Sequence, residues 1–251
     1  MTDTDEVLRF GEMNRPDIII NCSGMTDISS CEENPSQAFK VNALGARNLA
    51  IVAAKMQAKM VQLSTDDVFD GKSTEPYTEF DITNPGTVYG KSKLAGENYV
   101  KEFTTKHFIV RSTWVYGKGQ NFINGFLKKV DAGEQLSIAS DQFGSPTSAN
   151  ELARFLLHLV HTSEYGTYHA TNRGVCSRYA FAQEILKMTG KTASMQPVPT
   201  VMSDFSKVRP AYAVLDNFIM SMVPIYDFPD WQDSLREYLD CLLYTSPSPR
   251  D

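Results

Sequence analysis

Short apolar runs rich in β-branched residues alternate with stretches of helical spacing along the first half of the chain. The runs 17–23, 59–64 and 107–113 predict strands, and the stretches 35–56 and 88–103 predict helices. Strands separated by helices are typical of β-α-β units, which form a parallel sheet with helices on both faces. The alternation therefore predicts an α/β fold with a Rossmann-like, doubly wound parallel sheet.

The pattern becomes less regular after about residue 117, and prolines become frequent between the periodic segments. We interpret residues 118–240 as a smaller C-terminal lobe built on one end of the sheet, with some segments returning to the sheet. The last residues, 241–251, read CLLYTSPSPRD; we interpret them as a non-native tail, the alternative being an ordinary frayed terminus. Helical spacing and short apolar runs in this half predict helices at 121–132, 148–161, 178–189 and 230–240, and strands at 135–139 and 167–170.

Charge and cysteine content exclude several classes of function. The 251 residues carry 24 basic and 30 acidic side chains, a formal net charge of -6, which disfavours a general surface for nucleic acid or anionic membrane. No apolar run reaches the roughly 18 residues of a membrane helix. The four cysteines form no Cys-x-x-Cys pair and no zinc-spaced cluster. Reduced thiols in a cytoplasmic protein are therefore expected.

Tyr89 and Lys93 form a Tyr-x-x-x-Lys motif on the predicted helix 88–103. A spacing of four residues places the phenol and the ammonium on one helical face. A neighbouring cation favours the ionised form of a phenol, so such a tyrosine can donate a proton to a ketone that is being reduced. The motif alone is a weak signal, because most tyrosine–lysine pairs at this spacing are simply solvated.

Ser64, Thr65 and Asp66 lie at the end of the predicted strand 59–64, about two dozen residues before Tyr89. Ligands of open parallel sheets bind at the carboxyl ends of the strands. A hydroxyl there can hydrogen-bond the carbonyl oxygen that a tyrosine protonates, although Ser64 or Asp66 could also only cap the next turn. A strand-end threonine followed by Tyr-x-x-x-Lys favours the catalytic interpretation.

Longer stretches carry a resemblance to a known family. The stretch LSTDDVFDGKSTEPYTEFDITNPGTVYGKSKLAGE resembles the core of extended short-chain dehydrogenases that act on nucleotide sugars, and most closely the dTDP-4-dehydrorhamnose reductases. The resemblance extends from Thr2 to about Asp240. It also appears in PDIIINCSGMTDISSCEENPSQAFKVNALGARNLA, IVRSTWVYGKGQNFI, SDQFGSPTSANELA, and RPAYAVLDN followed by FPDWQDSLREYL.

This resemblance implies hydride transfer from NADPH or NADH to the C4 ketone of dTDP-4-dehydro-β-L-rhamnose, giving dTDP-L-rhamnose for cell-surface polysaccharide. It implies that residues 1–117 are the remainder of an NAD(P)-binding domain and that 118–240 mostly bind substrate. Tyr89 would be the general acid, Lys93 would hold the nicotinamide ribose, and Thr65 would bind the substrate carbonyl. The implied cofactor contacts are Ser23, Gly24, Met25, Asn42, Leu63, Tyr89 and Lys93, and the implied substrate contacts are Thr65, Asp66, Trp114 and Arg209, with Arg209 on the diphosphate.

Two departures from the family pattern stand out. The opening strand and its Gly-x-x-Gly-x-x-Gly turn, which brings the backbone to a pyrophosphate at a helix N-terminus, have no counterpart in this sequence. We therefore expect a chain lacking its first β-α-β unit, the alternative being a protein that binds no dinucleotide. Asp67 also stands where the family has tyrosine, and Ser23–Thr26 read Ser-Gly-Met-Thr in place of Ala-Ala-Tyr-Thr. The exact ketosugar is therefore less constrained than the chemistry.

Two other functions stay open at this point. The regulatory subunit of methionine adenosyltransferase resembles the same family and acts by binding a partner, and a truncated chain could be inactive. The set Thr65, Tyr89 and Lys93 argues against a pure binding role. The resemblance also allows a homodimer and a Mg²⁺ requirement, although no metal-ligand cluster is visible in the sequence.

Overall fold

The computed structural model describes residues 1–202 and 210–245. Its main sheet has four parallel strands in the order β1-β2-β3-β8, numbered along the chain. Their bounds are Ile18–Asn21 (β1), Lys59–Thr65 (β2), His107–Ser112 (β3) and Gly166–His169 (β8). The α/β class and the parallel sheet that the sequence predicts are thus confirmed. Strand β8 comes from the second half of the chain.

Alternate side chains of the central strands pack on opposite faces of this sheet, as the strand period of two requires. Met60 and Ile109 lie in a cluster with alanines of α4 (Gly45–Met56) and with Val100 of α5 (Val88–Phe103). Their neighbours Val61, Phe108 and Val110 lie in another cluster, with Leu152, Phe155 and Leu159 of α7 (Ala149–Val160). Both faces are therefore covered by helices, which makes the sheet doubly wound.

A separate apolar core lies beyond the sheet. It contains Phe126 of α6 (Phe122–Asp131), Ile138 of β5 (Leu136–Ala139), Phe181 of α8 (Arg178–Thr189) and Leu235 of α10 (Trp231–Thr245). Trp114 and Tyr116, which directly follow β3, also belong to this core. The division at residue 117 stays a prediction, but the second core gives the smaller lobe its own packing.

The remaining elements are mostly short. The helices are α1 (Thr4–Asn14), α2 (Ile28–Glu33), α3 (Pro35–Phe39) and α9 (Phe218–Met222), with a π-helical turn at Lys40–Leu44 and 3₁₀ turns at Asp66–Val68 and Thr200–Met202. The strands are β4 (Val115–Tyr116), β6 (Phe143–Gly144), β7 (Thr147–Ser148), β9 (Cys176–Ser177), β10 (Met195–Val198) and β11 (Tyr212–Ala213).

The C-terminal segment 241–251 is only partly described. Helix α10 continues to Thr245, so the first five residues of the expected tail extend the helix. The rest of the tail lies outside the described residues. None of the helices in the described ranges combines the length and the apolar character that crossing a bilayer requires.

Candidate active site

The carboxyl end of β2 carries the first candidate catalytic side chain. Thr65 is the last residue of the strand and the N-cap of the following 3₁₀ turn. Its hydroxyl accepts a hydrogen bond from the backbone N–H of Asp67 (3.2 Å) and donates one to Oδ1 of Asp66 (3.1 Å). The capping role that the sequence leaves open is therefore real, and it belongs to Thr65. The same contacts fix the hydroxyl at the edge of the sheet where ligands bind.

Helix α5 lies close to this strand end and to the π-helical turn Lys40–Leu44 because a glycine permits close approach at each place. A Cβ at Gly90 would lie 2.1 Å from the carbonyl oxygen of Asp67, and one at Gly96 would lie 2.5 Å from that of Asn42. The helix begins after Thr87, whose side chain accepts a hydrogen bond from Gly90 N (3.0 Å). This approach brings Tyr89 and Lys93 of α5 to the cleft that Thr65 lines.

Lys93 is a buried cation, with 5% of its surface exposed. Its Nζ donates a hydrogen bond to the carbonyl oxygen of Leu63 (2.6 Å). Burial lowers the pKa of Lys93 to about 8, and the Glu97 carboxylate acts in the opposite direction by raising it. Tyr89, one helical turn earlier, packs against Cys31 and is 8% exposed. The Tyr89 phenol therefore lies one helical turn from an ammonium whose pKa is lower than that of a solvated lysine.

The segment after β1 is held against α5 by Asn42. This side chain accepts a hydrogen bond from Met25 N (2.8 Å) and donates to Met25 O (2.9 Å) and to Ser92 Oγ (2.9 Å). Asn42 lies in the π-helical turn Lys40–Leu44, a distortion that is often found at functional sites. A Cβ at Gly24 would lie 3.1 Å from Asn42 Oδ1, a tight contact, and 3.7 Å from Lys93 Nζ, an ordinary van der Waals contact.

These elements surround a cleft of about 720 Å³. The structure brings together in its lining seven of the residues that the sequence predicts: Ser23, Leu63, Thr65, Asp66, Tyr89, Lys93 and Trp114. Three others lie behind the lining: Gly24 and Asn42 contact as described above, and the side chain of Met25 packs in the cluster that contains Cys31 and Tyr89. Arg209 lies outside the described residues.

Trp114 occupies the half of the cleft away from β1 and has an unusual environment. Its backbone adopts a left-handed conformation (φ 47°), and a Cβ at Gly144 would lie 2.6 Å from its indole. The guanidinium carbon of Arg178 lies 3.4 Å from the ring centroid of Trp114 and 4.8 Å from that of Phe122. The apolar wall that the sequence predicts is therefore overlaid by a cation.

Arg178 is a cleft residue that the sequence reasoning missed. It is the first residue of α8, and its backbone N–H donates to the carbonyl oxygen of Gln142 (2.9 Å). Among the described residues that line the cleft, Arg178 and Lys93 are the only lysine or arginine side chains. No motif marks Arg178, since an arginine at the start of a helix is usually a surface residue; only the fold places it on Trp114.

The lining fits the nicotinamide half of an NAD(P) cofactor. Lys93 Nζ and Ser23 Oγ offer polar groups at the carboxyl ends of two neighbouring strands, and the glycine at position 24 leaves the space beside Lys93 open. A glycine-rich phosphate-binding turn occurs nowhere in the sequence. The residues present therefore account for the nicotinamide and its ribose. Within the described ranges, no group of three or more His, Cys, Asp or Glu side chains could hold a metal ion.

The doubly wound sheet with Thr65, Tyr89 and Lys93 at one cleft defines a reductase of the short-chain dehydrogenase class. The sequence model of the RmlD substrate binding domain family matches residues 1–244, and the chain belongs to this family. It is similar to the spore coat polysaccharide biosynthesis protein SpsK of Bacillus subtilis (strain 168), at 38% identity over 226 residues, 90% of this chain and 79% of that protein.

Two solved structures are also similar. The dTDP-4-dehydrorhamnose reductase of Clostridium acetobutylicum shares 41% identity at a TM-score of 0.94, over 96% of this chain and 86% of that chain. The dTDP-4-dehydrorhamnose reductase of Bacillus anthracis, solved in complex with NADP, shares 36% identity at a TM-score of 0.92, over 95% and 85% respectively. The family that the sequence resemblance indicates is thus confirmed.

Proposed function

We propose that this chain is an NAD(P)H-dependent reductase that converts dTDP-4-dehydro-β-L-rhamnose to dTDP-L-rhamnose, a step in dTDP-rhamnose and polysaccharide biosynthesis. The observation that carries the proposal is the meeting of Thr65, Tyr89 and Lys93 in one cleft. The similar reductases, one of them solved with NADP, support the choice of reaction and of cofactor.

In this proposal, three side chains orient the ketone, protonate its oxygen and stabilise the resulting phenolate. When bound, the reduced nicotinamide supplies the hydride for the carbonyl carbon. Thr65 orients the carbonyl by donating to its oxygen the hydroxyl proton that is bonded to Asp66 Oδ1 in the absence of substrate. Tyr89 gives its phenolic proton to the carbonyl oxygen as that oxygen becomes an alcohol. Lys93 stabilises the phenolate that Tyr89 leaves behind and contacts the nicotinamide ribose. Asp66, whose carboxylate accepts from Thr65, lies where it can also contact the sugar.

The substrate half of the cleft contributes recognition. Trp114 and Asp66 are proposed sugar contacts, and Arg209 is a proposed diphosphate contact. We add Arg178, because it lines the cleft and its guanidinium lies on the indole of Trp114. A nucleotide sugar carries a diphosphate, and an arginine guanidinium binds phosphate oxygens in a fixed fork geometry.

Replacing Arg178 with Met should therefore raise the KM for the nucleotide sugar by about 10- to 100-fold, the range expected when a hydrogen bond to a charged group is lost. The kcat should change little, because Arg178 is remote from the reacting carbonyl in this assignment. Steady-state kinetics at several salt concentrations would measure both values. Lys187→Met is the matched control, since Lys187 lies on the same helix with an exposed side chain. A lower kcat at unchanged KM would contradict this role.

The proposal also includes a cytoplasmic location and a homodimer. The location is supported by Cys22, Cys31 and Cys176, which are reduced thiols in the described part of the chain. The dimer is an expectation from the family resemblance, and sedimentation equilibrium of the purified chain would test it.

The direct test of the function is NADPH or NADH oxidation by the purified chain in the presence of dTDP-4-dehydro-L-rhamnose. Turnover that requires both the reduced cofactor and the ketosugar supports the proposal. A second arm uses the chain fused to a relative's first β-α-β unit, which adds a glycine-rich phosphate-binding turn. Turnover by the fusion protein alone still supports the proposed reductase. If both proteins are folded and neither shows turnover, the proposed function is contradicted.

A further inference from the structure

A buried charge network lies directly behind the candidate catalytic residues. Glu97 is on α5 one helical turn after Lys93, and its surface is fully buried. Its two carboxylate oxygens accept hydrogen bonds from Arg111 Nε (3.0 Å) and Nη2 (2.7 Å), a bidentate pair. Ser64 Oγ donates a further hydrogen bond to Glu97 Oε1 (2.5 Å).

The two side chains that bind Glu97 come from neighbouring strands of the main sheet. Ser64 on β2 and Arg111 on β3 are paired residues of adjacent parallel strands, so one carboxylate from α5 binds both strands at the same level. Ser64 immediately precedes Thr65, and Lys93 lies four residues before Glu97 on the same helix. Glu97 therefore connects the strand end that carries Thr65 to the helix that carries Tyr89 and Lys93.

We propose that Glu97 is a positioning residue that acts through Lys93: its carboxylate, fixed by Ser64 and Arg111, supplies the charge that keeps Lys93 cationic beside Tyr89. This assignment deepens the reductase function proposed above and rests on it. A buried ammonium with no nearby negative charge tends to lose its proton, because desolvation disfavours the charged form. Helical spacing places the Glu97 carboxylate on the same face as Lys93, within the buried layer.

The charged groups around the two residues are few. Lys93 is influenced by Glu97 and by the thiol of Cys22, both of which raise its pKa, while burial lowers that pKa to about 8. Around Glu97, Lys101 on the same helix lies 3.9 Å away at the exposed side. Behind Arg111, His169 of β8 is held neutral, since burial and the Arg111 charge lower its pKa to about 3. Glu97 is therefore the carboxylate whose charge offsets part of the effect of burial on the pKa of Lys93.

The test is the titration of Lys93 itself, read from the ¹³Cε resonance of ¹³C-lysine-labelled protein and assigned by its loss in Lys93→Met. This measurement needs no turnover, so it stays decisive if the reductase assay fails. In the unsubstituted chain we expect a midpoint near pH 8. In Glu97→Gln the midpoint should fall by about one pH unit, the lower end of the effect of a nearby opposite charge. In an active enzyme, the alkaline limb of the kcat/KM profile should move to lower pH by the same amount.

A second variant distinguishes a change in the pKa of Lys93 from unfolding of the protein. Glu97→Gln leaves Arg111 as an unpaired buried charge, whereas Glu97→Gln/Arg111→Met removes the whole ion pair and is expected to fold. The double variant should also show a lowered Lys93 midpoint, by less than Glu97→Gln, because the opposing positive charge of Arg111 is removed together with the carboxylate. Glu102→Gln, an exposed carboxylate on the same helix, should leave it unchanged. A Lys93 midpoint that stays near pH 8 in the double variant overturns the proposal.

Discussion

Replacing Tyr89 with Phe is expected to lower kcat by about 10²- to 10⁴-fold, the range that a positioned general acid contributes. The phenol is the proposed proton donor in the cleft that Thr65 and Lys93 also line. The KM values and the fold should change little, because phenylalanine keeps the ring that packs against Cys31 and Ala38. Steady-state reduction of dTDP-4-dehydro-L-rhamnose and a urea unfolding curve would measure the two effects.

The matched control for this variant is Tyr99→Phe. Tyr99 lies on the same helix but faces Arg47 and Phe103 and does not line the cleft. It should keep full activity. A Tyr89→Phe variant with unchanged turnover would contradict the proposed acid, and it would revive the alternative of a partner-binding relative for which the hydroxyl is irrelevant.

The central sheet could be predicted from sequence because its middle strands, β2 and β3, are largely buried on both faces. The apolar stretches within 17–23, 59–64 and 107–113 are visible without any tertiary information. The helices at Val88–Phe103 and Arg178–Thr189 match the predicted bounds. By contrast, two-residue strands such as β6 and β9 have no periodicity to detect, and Pro197 within β10 argues against a strand. These strands exist because the tertiary fold aligns them.

The candidate site was predictable where one local motif carries it. Tyr89 and Lys93 are four residues apart on one helix, and Thr65 ends a strand that the sequence makes obvious. Arg178 and Glu97 were missed for the opposite reason. Each belongs to a residue type that usually faces solvent. Their cleft and core partners come from distant parts of the chain, Trp114 for Arg178 and Ser64 for Glu97.

Burial of the Lys93 ammonium in the cleft lowers the stability of the fold. Lowering a lysine pKa from 10.5 to about 8 corresponds to roughly 3 kcal/mol of unfavourable free energy for burying the protonated ammonium. The cost is full below about pH 8, where both the folded and the unfolded chain hold the proton. It shrinks as the pH rises, and it vanishes above about pH 10.5, where neither state holds it. A neutral side chain of similar length should therefore stabilise the protein near neutral pH.

Lys93→Met is accordingly expected to stabilise the fold and to inactivate the enzyme. Methionine keeps the packing, and the carbonyl of Leu63, which loses its bond from Lys93, still accepts one from Gln62 Nε2 (2.8 Å). The free energy of unfolding at pH 7 should rise by roughly 1–3 kcal/mol, while kcat/KM falls by at least about 100-fold because Tyr89 loses its cation. Urea unfolding at pH 7 and near pH 10.5, with Lys91→Met as the exposed control, would show the gain disappearing at the higher pH. A gain in the free energy of unfolding of equal size at both pH values would mean that packing, and not the buried charge, causes the gain. Retained turnover would mean that Lys93 is not a catalytic residue.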